Sequence, residues 1–136
     1  MPHIVILYTP DVEPQADMGG LCRALADTLL AVRDENGAQV FPTGGVRVLA
    51  YPAAHFAVAD GSVDAGFVYI QLRMGRGRSA AVQQATGNAL RAAAATHMAP
   101  LLAARAVGLT LQIDEGPEVF DAKFGNLHAV FRKKAP

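Results

Sequence analysis

The stretch DAGFVYIQLRMGRGRS, residues 64–79, decides the fold, because it predicts a strand, a tight turn and the start of a helix in that order. Aromatic and polar side chains alternate with aliphatic ones from residue 67 to residue 72, the period-two pattern of a strand. GRGRS supplies the turn, and Ser79 is a residue type that caps the N-terminus of a helix. The Ala-rich segment 79–105 then predicts a long helix.

Two features of this predicted helix can be specified further. Pro100 should kink or end it, because proline lacks the donor that an internal helical turn needs. The spacing predicts a buried face made of Val82, Ala85, Ala89, Ala93, His97 and Leu101. We expect His97 to be a packing residue whose polar atoms are satisfied.

The rest of the chain supplies a second helix and further strands. Residues 3–8 are rich in Ile and Val and predict a strand that ends at Thr9-Pro10-Asp11. Leu21, Leu25 and Leu29 recur every four residues, which predicts an amphipathic helix. Alternating patterns predict strands at 46–50 and in VGLTLQI, residues 107–113, and LHAVF, residues 127–131, indicates a short last strand.

This order predicts a single α+β domain over residues 1–136, built from two β-α-β units at about 2–51 and 64–114. Strands joined by a crossover helix are expected to be parallel neighbours. Two such units form a four-stranded sheet with both helices on one face. The other face, to which we assign Val46, Val48, Phe67 and Tyr69, is too apolar for water. We therefore expect a homo-oligomer that packs sheets together.

Composition excludes several classes of protein. Apolar residues make up 51% of the chain, and 12 basic residues balance 12 acidic ones, so no net charge attracts nucleic acid or an anionic membrane. The one cysteine, Cys22, excludes an internal disulfide framework and is typical of a reducing cytoplasm. We expect neither a membrane-spanning segment nor a secretory signal.

Three features carry candidate chemistry, and each also has a structural explanation. Pro2 is tolerated at the start of a strand, but removal of Met1 would make it a free secondary amine. Arg47 lies within an apolar strand, so it is either an outward surface charge or a paired group. Arg73, Arg76 and Arg78 surround a helix start that favours anions, or they are solvated turn residues.

Metal and acyl-transfer chemistry have no support in the sequence. His3, His55, His97 and His128 are scattered singly, without the close spacing of a zinc helix. The chain also lacks the Gly-x-Ser-x-Gly pattern of a serine nucleophile.

Five stretches together resemble the 5-carboxymethyl-2-hydroxymuconate Δ-isomerases of the tautomerase superfamily. They are MPH (1–3), FPTGGVRV (41–48), ADGSVDAGFVYIQLRMGRGRS (59–79), THMAPLLAARAVGLTLQI (96–113) and NLHAVF (126–131). The resemblance implies a homotrimer with sites near subunit boundaries, and neither a metal nor a cofactor. It implies a proton transfer that turns an enol of an unsaturated carboxylate into the 2-oxo compound.

The resemblance also assigns roles to residues. Pro2 matches the family's catalytic amino-terminal proline, and Arg47 and Arg78 match its two arginines, which bind substrate carboxylates. Arg73 and Arg76 have no such match and are left as turn or surface residues. Two alternatives stay open: another proline-dependent tautomerase or hydratase of unsaturated acids, and a non-catalytic trimer that binds small acids.

Overall fold

Four strands form one mixed sheet in the order β2-β1-β3-β4 in the computed structural model, which describes residues 2–134. The strands are β1 (His3–Tyr8), β2 (Arg47–Pro52), β3 (Ala65–Met74) and β4 (Ala106–Glu115). β1 runs parallel to β2 and antiparallel to β3, and β3 runs parallel to β4. The predicted parallel pair within each β-α-β unit is therefore confirmed.

The helices are α1 (Glu13–Ala16), α2 (Met18–Ala31), α3 (Ala80–Ala104) and α4 (Leu127–Lys134), with 3-10 turns at Pro10–Val12 and Thr43–Gly45. Ser79 caps α3 as predicted, because its hydroxyl accepts a hydrogen bond from the Val82 amide at 3.2 Å. The helix does not end at Pro100 but continues to Ala104. Within residues 2–134, none of the helices has both the length and the apolarity to cross a bilayer.

The core lies between one face of the sheet and helices α2 and α3. Every second residue of β1 and β3 points into it, together with the predicted Leu stripe of α2; its members include Ile4, Ile6, Val68, Ile70, Leu72, Leu21, Leu25 and Leu29. Both long helices therefore cover the same face, as predicted. Among residues 2–134, no helix covers the opposite face of the sheet, called the open face below.

The two ends of the buried stripe of α3, Val82 and Leu101, are as predicted, but its middle is shifted by one residue. The middle members are Thr86, Leu90, Ala94 and Met98. In an Ala-rich helix, neighbouring stripes differ little in apolarity, so the pattern did not distinguish them. His97 is a satisfied packing residue as expected: its Nε2 lies 2.7 Å from the carbonyl oxygen of Ala16.

The open face carries the predicted apolar patch, but it also carries hydrogen-bonded polar side chains of β3 and β4, such as Gln71 with Asp114. Two of the predicted members of the apolar patch were wrong. Val46 and Val48 lie on the helix side against the core, because the parallel register aligns Val48 with Ile4. The odd-numbered residues of β2 therefore face outward, away from the core. The open face instead carries Leu7, Leu49 and Tyr51, each about half exposed, beside the stacked rings of Phe67 and Tyr69.

The predicted C-terminal strand at 127–131 was also wrong, because these residues form the first part of α4. Leu127, Val130 and Phe131 are spaced by three and one, so they share one face of a helix. Arg132, Lys133 and Lys134 lie in the last turn, where positive charge interacts favourably with the helix dipole.

Helix α4 packs directly on the 3-10 turn that precedes β2. Gly44 is buried in this turn, and a Cβ atom on it would lie 2.9 Å from both the Cα and the amide nitrogen of His128. These are backbone atoms of α4, so a side chain at position 44 would displace the helix. The position of α4 therefore depends on a glycine in the turn.

We predict that Gly44→Ala weakens the docking of α4 and lowers the free energy of unfolding by about 1–3 kcal/mol, the usual cost of overpacking. Urea unfolding measures the loss, and hydrogen exchange of the α4 amides should speed up. Gly19→Ala is the matched control, because the nearest atom to its added Cβ is 3.9 Å away and alanine favours a helix. Equal unfolding midpoints and equal α4 protection in the two variants would contradict the packing argument.

Candidate active site

One end of the sheet gathers the predicted site residues. The register aligns His3 with Arg47 on β2 and with Arg73 on β3. Pro2 directly precedes β1, so it lies at this same end. Arg78 follows β3 by four residues in the turn before α3. The N-terminal end of β1 is therefore flanked by arginines on both sides.

A cavity of about 450 Å³ opens at this end of the sheet and is called the strand-end cavity below. Its lining includes His3, Arg47 and Arg73 from the sheet. Residues 116–126, which connect β4 to α4 and are called the C-terminal arm, supply much of the remaining wall together with α4. This volume is within the range of cavities that bind small molecules.

Pro2 is buried at the margin of the sheet. The alternation along β1 gives it the same parity as Ile4 and Ile6, whose side chains enter the core. Burial of this kind disfavours a positive charge on a nitrogen. Removal of Met1, on which a free amine at Pro2 depends, concerns a residue outside the described range.

Arg47 lies on the open side of β2 and lines the strand-end cavity with an exposed side chain. Among residues 2–134, no carboxylate forms an ion pair with it. Its guanidinium group is therefore available to an anion that enters the cavity, and a planar carboxylate matches its donors.

Arg78 does not itself line the cavity but is held next to a residue that does. Its guanidinium carbon lies 4.7 Å from the centre of the buried Phe41 ring, and its Nη1 donates to the carbonyl of Gly75 at 3.2 Å. Gly75 itself lines the cavity. Burial lowers the pKa of Arg78, but arginine titrates so far above neutral pH that the group stays charged.

Arg73 is the residue of this region whose position the sequence analysis missed. The sequence predicts a turn or surface residue, whereas Arg73 lines the cavity, where its Nη2 lies 3.1 Å from Oε1 of Glu118 on the C-terminal arm. The available signal was the alternation along β3: Arg73 is odd-numbered like Phe67 and Tyr69, so its side chain lies on the same face of the sheet as theirs. Arg76, in contrast, is exposed in the turn as expected.

The groups gathered here suit an anion better than a metal ion. Within the described part of the chain, no three His, Cys, Asp or Glu side chains are grouped so that they could hold a metal. Three arginines, by contrast, lie in or beside one cavity. The arrangement therefore favours binding of a small molecule with more than one acidic group.

The chain is similar over nearly its full length to one family of proteins. The family model described as 5-carboxymethyl-2-hydroxymuconate isomerase matches residues 2–131. The 5-carboxymethyl-2-hydroxymuconate Δ-isomerase of Escherichia coli is 30% identical over 132 residues, which is 97% of this chain and 100% of the relative.

Solved structures with related names share the fold closely. One 5-carboxymethyl-2-hydroxymuconate Δ-isomerase is 59% identical, with a TM-score of 0.92 over 96% of this chain and 93% of the other. A 5-carboxymethyl-2-hydroxymuconate isomerase from Deinococcus radiodurans R1 is 36% identical, with a TM-score of 0.84 over 96% of this chain and 94% of the other.

Proposed function

The chain belongs to the 5-carboxymethyl-2-hydroxymuconate isomerase family of enzymes, and we propose that it isomerises this unsaturated carboxylate with Pro2 as acid and base. The observation that carries the proposal is the register of β1, which brings the residue after Pro2 between Arg47 and Arg73 at the mouth of a cavity. The reaction is part of the breakdown of aromatic compounds.

Pro2 is proposed to move the proton. Once Met1 is removed, its nitrogen is a secondary amine, which takes the proton from the 2-hydroxyl and delivers it to carbon while the double bonds shift. The product is the 2-oxo compound, so no other reactant is needed. An ordinary α-amino group has a pKa of roughly 7.7–8.0. Burial and neighbouring guanidinium groups both disfavour the cation and move the pKa of such an amine toward neutral pH or below.

Arg47 and Arg78 are proposed to bind carboxylates of the substrate. Arg47 is unpaired among the described residues, and Arg78 is fixed by Phe41 and Gly75 next to the cavity. One of them also stabilises the negative charge that develops on the dienolate in the transition state. Because Phe41 and Gly75 hold the Arg78 guanidinium group in place before the substrate binds, this group needs little reorganisation during the reaction.

The uncovered sheet face supports a homotrimer. Leu7, Leu49 and Tyr51 are about half exposed there, next to Phe67 and Tyr69. A contiguous apolar surface of this kind is typical of an interface between subunits. We propose that three copies cover it and that each site lies near a subunit boundary.

We further propose that the enzyme works in the cytoplasm. Cys22 is a free thiol in the described structure, and burial raises its pKa. A thiol of this kind stays protonated at neutral pH and reacts slowly. A single unpaired cysteine agrees with a reducing compartment.

We predict that blocking the nitrogen of Pro2 abolishes most of the activity without unfolding the chain. Insertion of a lysine between Met1 and Pro2 keeps this nitrogen an amide, and kcat/KM should fall about 10²- to 10⁴-fold, the usual contribution of a general acid–base group. Ultraviolet absorbance follows the loss of the muconate, and intact mass establishes the N-terminus. Pro52→Ala, at the exposed end of β2, is the control and should keep full activity. Undiminished turnover by the insertion variant would exclude the proline as acid and base.

We predict that Arg47→Gln and Arg78→Gln each lower kcat/KM by a factor that corresponds to about 2.7–4 kcal/mol, because each removes a charged donor that stabilises the substrate's negative charge. Steady-state kinetics measure the effect, and circular dichroism checks that the variants are folded. Arg91→Gln removes an exposed charge from α3 and should leave the kinetics unchanged. The assignment fails if the Arg91 variant and the two site variants lose the same activity.

We predict that sedimentation equilibrium gives three times the chain mass of 14.3 kDa. Leu49→Asp on the open face should dissociate the assembly, because a charge would be buried among apolar side chains. Val63→Asp, in the exposed segment between β2 and β3, is the control that should stay trimeric. A monomer at micromolar concentration in the unmodified protein would refute this proposal.

A further inference from the structure

Arg73 stands out because it is a cavity-lining arginine that already has a carboxylate partner. Both its Nε and its Nη2 approach Oε1 of Glu118, at 3.2 Å and 3.1 Å. Arg47, which lies across β1 at the same level of the sheet, has no such partner among residues 2–134. The cavity therefore contains one open guanidinium and one that an internal carboxylate covers.

Glu118 reaches Arg73 from an irregular segment with exposed side chains. The C-terminal arm contains neither helix nor strand, and Val119, Phe120 and Phe124 are almost fully exposed. Its start is fixed by the Gly116 amide, which donates to the carbonyl of Met74 at 2.9 Å. The Glu118 and Arg73 side chains are 38% and 41% exposed, and ion pairs with this exposure contribute little to stability. A ligand carboxylate can replace Glu118 at little cost.

We propose that Arg73 binds a third carboxylate of the substrate and that Glu118 occupies its place until the substrate arrives. This inference rests on the proposed function, in which the substrate is a muconate that carries an added carboxymethyl group and therefore has three carboxylates. Arg47 and Arg78 account for two of them. The Cα atoms of Arg47 and Arg73 lie two strand spacings apart, roughly 10 Å, so their long side chains can reach different ends of one small molecule.

The proposal makes Arg73 a specificity residue. Arg73 distinguishes the tricarboxylate from 2-hydroxymuconate, which lacks the carboxymethyl group. Arg73 takes no part in the proton transfer. Glu118 then acts as an internal competitor for Arg73. If the pair only fixed the C-terminal arm, removal of either partner would have the same effect.

The test compares Arg73→Gln, Glu118→Gln and a control on both muconates. The control is Arg76→Gln, which removes an exposed arginine from the turn that follows β3. Arg73→Gln should raise KM for the tricarboxylate at least tenfold, with kcat and the KM for 2-hydroxymuconate little changed. Glu118→Gln should lower KM for the tricarboxylate, because the competitor is gone. The proposal is overturned if Arg73→Gln and Glu118→Gln shift KM for the tricarboxylate in the same direction. It is also overturned if Arg73→Gln raises KM for the two muconates equally, or changes KM no more than Arg76→Gln does.

Calorimetry separates a failure of this inference from a failure of the proposed function. The probes are tricarballylate, which has three carboxylates, and glutarate, which has two. If the unmodified enzyme turns over neither muconate, the proposed function fails. Tenfold weaker tricarballylate binding by Arg73→Gln, with glutarate binding unchanged, still supports Arg73 as a third carboxylate subsite. Equal affinities of the unmodified protein and the Arg73→Gln variant for tricarballylate would overturn this subsite.

Discussion

The register of β1 between its two neighbours is the constraint on which the site depends. Ile4 and Ile6 enter the core only if they align with Val48 and Ala50 on β2 and with Leu72 and Ile70 on β3. The same alignment brings the arginines of β2 and β3 beside His3 on the opposite face. A shift of one residue in either pair would turn an arginine into the core and a valine or leucine into solvent. Burial of apolar side chains on one face therefore fixes the positions of the charged groups on the other.

The C-terminal part of the chain forms the walls of the candidate site that the sheet does not supply. The C-terminal arm forms much of the wall of the strand-end cavity, and α4 holds its far end by packing on the turn around Gly44. That turn ends two residues before Arg47. Phe41, just ahead of the turn, contacts Arg78. One short segment, residues 41–47, thus connects the core, the last helix and both proposed carboxylate-binding arginines.

Most of the fold could be predicted from the sequence, because the alternation of residues 67–72 and the leucine spacing of α2 are strong local signals. The errors arose where the local signal was weak or depended on pairing. LHAVF is too short to distinguish a strand from a helical turn, and the alanines of α3 blur which stripe is buried. Val48 was assigned to the wrong face because its orientation is set by its alignment with Ile4, which no local pattern encodes.

The candidate site, like the fold, could be predicted only in part from the sequence. Pro2, Arg47 and Arg78 were selected from the sequence, and the fold gathers them at one end of the sheet, although their roles stay predictions. Arg73 was missed because its significance comes from a residue 45 positions away in the chain. A carboxylate that arrives on an irregular segment leaves no periodic pattern in the sequence.

Nitrogen-15 NMR of the protein labelled at proline tests the central claim most directly, because it observes the nitrogen of residue 2 itself. The account predicts one proline signal with the chemical shift of a secondary amine, which titrates with a pKa near or below 7 and matches the pH dependence of kcat/KM. A signal at amide chemical shift that does not change with pH, in a sample that still isomerises the muconate, would contradict it.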